Sequence, residues 1–89
     1  MVHYKLVITG KVQGVYYRAY AQKEAEKLGL KGWVRNQSNG SVVAMVQGEK
    51  QVVDAFVDWC HKGSPSSVVE QVSIELQETL DYPDFRILL

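Results

Sequence analysis

Nine residues near the start of the chain, Gly10-Lys11-Val12-Gln13-Gly14-Val15-Tyr16-Tyr17-Arg18, carry the equipment for holding an anion. Gly10 and Gly14 free the backbone, so that successive N–H groups can turn toward one point. The amphipathic stretch beginning at Tyr17 adds the partial positive charge of a helix N-terminus, and Arg18 offers two parallel donors to a phosphate. A plain glycine turn followed by a solvated arginine uses the same residue types. Position favours the first reading: a cation at the start of a helix sits at the wrong end of the dipole unless an anion lies between them. A second segment, Gly32-Trp33-Val34-Arg35-Asn36, ends in a neutral amide and runs into Gln37-Ser38-Asn39-Gly40. Asparagine beside a hairpin ordinarily serves the turn itself, so Asn36 alone leaves both roles open.

Neither segment sets a serine, cysteine or histidine beside a base, which leaves a triad nucleophile without support. His3 and His61 lie at opposite ends of the chain without metal-ligand spacing. Each reads as a solvated or locally bonded imidazole, and neither a metal site nor an organic cofactor is expected. A guanidinium, backbone donors and an amide remain. None of these titrates near neutrality, so they can position a group and stabilise its charge but cannot act as strong acids or bases.

The elements that must position these residues follow from periodicity. Tyr4, Leu6 and Ile8 alternate with Lys5, Val7 and Thr9, which predicts a strand over 4–12. Tyr17, Tyr20, Ala21, Ala25 and Leu28 share one helical face, with Gly29 placed to end the helix. Residues 30–36 and 41–47 are strand-like runs around Asn39-Gly40, a dipeptide suited to the positive φ angles of a tight hairpin. Asn36 is thus expected where strand meets turn. A second helix over about 50–62 turns Val52, Val53, Phe56 and Cys60 inward and stops at Gly63 and Pro65. Trp33, Phe56 and Trp59 are core or rim aromatics, and Arg35 is a solvated strand residue. Residues 68–78 alternate Val72, Ile74 and Leu76 against Ser73, Glu75 and Gln77, and a short strand closes the chain over 85–88. The order βαββαβ plus a tail strand predicts an α+β ferredoxin-like sandwich, one antiparallel sheet with both helices on one face.

With 89 residues, 46% of them hydrophobic, the chain supports one domain over 1–89 with one core. Ten basic and ten acidic side chains cancel, so no global field steers it to nucleic acid or to an anionic membrane. No apolar run approaches a membrane span, and the first residues lack the pattern of a secretory leader. A cytoplasmic monomer is expected. Cys60, the only cysteine, excludes an internal disulfide and falls on the apolar helix face as a small buried hydrophobe.

The glycine loop with its arginine, the Gly-Trp-Val-x-Asn strand end, the Lys62-Gly63-Ser64-Pro65-Ser66-Ser67 run and the Phe85-Arg86-Ile87 tail together resemble the acylphosphatase family. The resemblance spans nearly the whole chain, and the first two segments in this order and spacing are its specific part. It implies a ferredoxin-like fold and hydrolysis of the carboxyl–phosphate bond of small acyl phosphates, without metal or cofactor. Position by position, Arg18 matches the substrate-binding catalytic arginine and Asn36 the asparagine that orients the attacking water. Gln13, Gly14, Val15, Tyr16 and Tyr17, with Arg18, match the substrate-binding cradle, in which backbone N–H groups meet phosphate oxygens. Tyr16 and Tyr17 depart from the residues common in the family, which bears on loop rigidity. The chemistry agrees: a carboxylate leaving group, with a conjugate acid of pKa about 4, departs without a proton donor. A loose phosphoryl transition state needs positioning and charge stabilisation, which suit this residue set.

Two other classes share the fold. An RNA-recognition module is echoed by Lys31-Gly32-Trp33-Val34, but the next stacking aromatic is replaced by Asn36 and no basic footprint surrounds it. A domain that senses acyl phosphates without turnover needs the loop but not the water-orienting amide, and Asn36 argues against it.

Overall fold

Alternation in the first strand sorts its side chains as expected. β1 (Val2–Lys11) turns Tyr4, Leu6 and Ile8 into the core and leaves Lys5, Val7 and Thr9 partly exposed. The computed structural model covers residues 1–89, continuing with α1 (Tyr17–Lys27), β2 (Lys31–Asn36), β3 (Val42–Gly48), α2 (Lys50–Lys62), β4 (Val68–Leu76) and β5 (Phe85–Ile87). The sheet runs β4-β1-β3-β2-β5. Its first four strands pair antiparallel, as predicted, whereas β5 lies parallel to β2 and makes the sheet mixed. Residues 77–84 cross from the β4 edge to the β2 edge before β5 begins, and that crossing sets the parallel direction.

One core cluster joins the helix-facing side of the sheet (Leu6, Ile8, Val34, Ala44, Val46) to Ala21 and Ala25 of α1 and to Val53, Phe56 and Cys60 of α2. Both helices thus cover one face, and Cys60 is fully buried. No helix is long and apolar enough to cross a membrane. Gly29, with φ 72, follows α1 in the left-handed conformation that ends helices.

Three expectations change. Tyr20 is 42% exposed instead of filling the α1 face, because the α1 stripe that reaches the core narrows to Tyr17, Ala21 and Ala25. Ile74 and Leu76 share their face with Leu6 and Tyr4 through the β1–β4 register but stay exposed, since β4 is an edge strand. His3 is neither solvated nor bonded locally. It is buried, with Nδ1 at 2.6 Å from the Glu78 carbonyl and Nε2 at 2.8 Å from the Tyr82 hydroxyl. Gln47 adds two bonds to the same crossing segment, donating to the Leu80 carbonyl and accepting from the Leu80 N–H. His61 is bonded within its own helix, with Nδ1 at 3.0 Å from the Val57 carbonyl.

Candidate active site

The β1–α1 loop is shaped by two left-handed residues. Gly14 has φ 74 and Tyr16 has φ 62, the latter alone among non-glycine residues in this conformation. A tyrosine there costs on the order of 1–2 kcal/mol, so the surrounding structure must hold it. From Gly14 to Ala19 no backbone N–H donates to a group of the chain, and the first bond of the new helix runs from the Tyr20 N–H to the Tyr16 carbonyl. The helix has no acidic residue in its first turn and no side-chain cap. Its N-terminal donors and the loop donors are therefore left without partners, in a segment that borders one cavity.

That cavity, of about 370 Å³, is lined by Val12, Gly14, Tyr16, Tyr17, Arg18 and Ala19 from the loop and α1, by Asn36 at the end of β2, and by Ile87 of β5. Arg18 has no carboxylate partner: the ion pairs of the chain are Lys50–Asp54 and Arg86–Asp84. One guanidinium nitrogen, Nη1, donates to the Leu88 carbonyl at 3.3 Å, which steadies the side chain without neutralising it. A cation, a helix N-terminus and free N–H groups thus meet with no negative charge among them, a pattern that calls for an anion.

The register of the sheet explains how Asn36 arrives here. It pairs with Val42, whose other neighbour is Ile8, so all three side chains point to the helix side of the sheet. Asn36 Oδ1 is the one buried side-chain polar atom without a hydrogen-bond partner. An unpaired buried acceptor costs about 1–3 kcal/mol, a cost offset when a donor from outside the chain comes to it.

The structure brings together Gly14, Tyr16, Tyr17, Arg18 and Asn36 around the cavity, while the side chains of Gln13 and Val15 lie elsewhere. Gln13 Nε2 donates to the Gln37 and Ser41 carbonyls at 2.7 and 2.9 Å, tying the loop to the β2–β3 turn that follows Asn36. Val15 is buried, and its carbonyl accepts a 2.7 Å bond from the Ser64 hydroxyl. The Tyr17 ring is buried as well, its hydroxyl donating to the Cys60 carbonyl at 2.8 Å. Sequence reasoning missed Ser64, Ile87 and the Leu88 carbonyl. Ser64 stands in the Lys62–Ser67 run that carries the resemblance, with no role assigned to it, and no local pattern tells that its hydroxyl reaches a loop 49 positions earlier.

Fold and site together define a small α+β protein with a cationic, donor-rich cavity at the start of α1. A family model for acylphosphatase matches residues 4–87. The chain is 49% identical to an acylphosphatase of Bacillus pumilus over 98% of both chains. It superposes on a crystal structure of acylphosphatase from Bacillus subtilis with a TM-score of 0.96, at 34% identity over 100% of both chains. A second structure, an acylphosphatase from Coxiella burnetii, gives 0.94 at 37% identity, over 98% of this chain and 92% of that one. The chain belongs to the acylphosphatase family.

Proposed function

We propose that the chain hydrolyses the carboxyl–phosphate bond of acyl phosphates, such as acetyl or carbamoyl phosphate, to a carboxylate and inorganic phosphate, with Arg18 and Asn36 as the catalytic pair. Backbone N–H groups of the 13–17 loop and the Arg18 guanidinium hold the phosphoryl oxygens and take up charge as the P–O bond to the acyl group stretches. Asn36 Oδ1 accepts a hydrogen bond from a water and holds it in line with the departing carboxylate. The water oxygen forms the new P–O bond as the old one breaks. Its proton passes to a phosphoryl oxygen, because an amide is no base, and the carboxylate leaves with the bonding pair. All the groups come from one chain, so a monomer suffices, and the free buried thiol of Cys60 accords with a cytoplasmic setting.

The observation that carries this reading is the pairing, around one cavity, of an arginine without a counter-charge and a buried asparagine oxygen without a donor. Loss of ultraviolet absorbance from benzoyl phosphate, followed with EDTA present, tests it. Wild type is expected to turn over. Arg18→Ala and Asn36→Ala are each expected to lower kcat by on the order of 10² or more, with Arg18→Ala also weakening inhibition by inorganic phosphate. Unchanged rates in both variants would reject the assignment.

A further inference from the structure

We propose that Ser64 is a positioning residue for the phosphate cradle: its hydroxyl holds the Val15 carbonyl inward and thereby aims the Tyr16 N–H at the bound phosphoryl group. The proposal rests on the reading of the loop given above.

The geometry is that of a single peptide unit. Every peptide bond in the chain is trans, so the Val15 carbonyl and the Tyr16 N–H point in opposite directions. The carbonyl is held on the core side by Ser64 Oγ at 2.7 Å. The N–H is therefore turned the other way, toward the cavity that Tyr16 lines. Ser64 is itself 2% exposed and firmly placed: its carbonyl accepts from both the Ser67 N–H at 3.0 Å and the Ser67 hydroxyl at 2.7 Å. It follows Gly63, whose φ of 71 turns the chain out of α2.

The alternative conformation is close at hand. Rotating the Val15–Tyr16 peptide by half a turn changes ψ of Val15 and φ of Tyr16 together. Tyr16, now at φ 62 and ψ 23, would then leave the left-handed region for negative φ, in the bridge region between α and β. Relief of that strain favours the flip, and the buried Ser64 bond opposes it with an interaction of comparable size. A flipped peptide would turn a carbonyl oxygen, in place of a donor, toward an anion. Removing one hydroxyl behind the loop thus reverses the polarity of one of its contacts in front.

Titration of the ¹⁵N-labelled protein with inorganic phosphate, read at the backbone amides and at Arg18 Nε, provides the test. In wild type the Tyr16 amide is expected to shift on saturation. In Ser64→Ala, which retains Arg18, the Arg18 Nε signal should still respond while the Tyr16 amide no longer does, and phosphate affinity should fall roughly tenfold. Adding Tyr16→Gly to Ser64→Ala removes the strain that drives the flip and is expected to recover part of that affinity, which a general loosening of the fold would not produce. If Ser64→Ala does not fold, Ser64→Cys fills the same place with a weak donor and is expected to show the same loss in milder form. A folded Ser64→Ala or Ser64→Cys with wild-type affinity and a wild-type Tyr16 shift overturns the proposal. A wild-type loop whose amides ignore phosphate overturns the cradle reading, and this proposal with it.

Discussion

Tyr17 shows how one side chain serves both site and core. Its ring packs 5.3 Å from Trp59, centroid to centroid, and its hydroxyl supplies a donor to Cys60, a carbonyl in the last turn of α2 that has no intrahelical partner. The residue immediately before Arg18 is thereby anchored to the far helix. Tyr17→Phe keeps the packing and leaves that carbonyl unpaired. It is expected to cost about 1–2 kcal/mol, read as a lower urea midpoint with unchanged m-value. Arg18 draws its position from two directions, the helix that carries it and the Leu88 carbonyl that it touches. Asn36 draws its position from strand register alone, since its Oδ1 has no partner within the chain.

Among the elements, the glycines separate into those that shape a loop and those that let strands meet. Gly14 has φ 74, and an added Cβ there would meet nothing within 4 Å. Gly14→Ala therefore pays only conformational strain, about 1–2 kcal/mol, and the folded variant should hold phosphate less well because the loop N–H groups are re-aimed. Gly32 in β2 has φ 139, and a Cβ there would run into the Met45 backbone carbonyl across the ladder. Backbone cannot step aside as a side-chain tip can. Gly32→Ala is expected to lose on the order of 4 kcal/mol, seen as a large fall in the thermal midpoint, and to disturb the strand that delivers Asn36. The segment between β4 and β5 is fastened at His3 and Gln47, and this is what carries β5 and Leu88 to the mouth of the site.

For the molecule as a whole, the buried Tyr17–Cys60 pair sets a response to alkali. Burial pushes the Cys60 thiol up to about 12 and raises the Tyr17 phenol well above its ordinary value of 10.0. Both groups stay protonated in the native state, whereas the unfolded chain sheds the same protons near pH 9 and 10. The native state then binds more protons than the unfolded one, so their contribution to stability is intact below about pH 8. It declines as the pH rises through 9–10 and continues to fall toward 12. Urea midpoints taken at pH 7, 9 and 10.5 are expected to fall slightly between the first two and more steeply by the third. In native buffer Cys60 should resist a thiol reagent that labels it at once in urea.

What the chain states locally it states well. Strand alternation over Tyr4–Ile8, the helix stops at Gly29 and Gly63, the Asn39-Gly40 turn and the burial of Cys60 are written within windows of about ten residues, because periodicity and turn preferences act over one element. The segments around Arg18 and Asn36 were legible for the same reason, as contiguous runs of recognisable type. The bond from Ser64 to Val15, that from Arg18 to Leu88 and that from His3 to Glu78 span 49, 70 and 75 positions, and no window contains them. Only closure of the sheet, with a crossing segment that brings β5 parallel to β2, determines which distant hydroxyl or carbonyl comes within 3 Å or so of the loop. That is why the parts of the site were readable from the amino acids, and the scaffolding behind them only from the packed molecule.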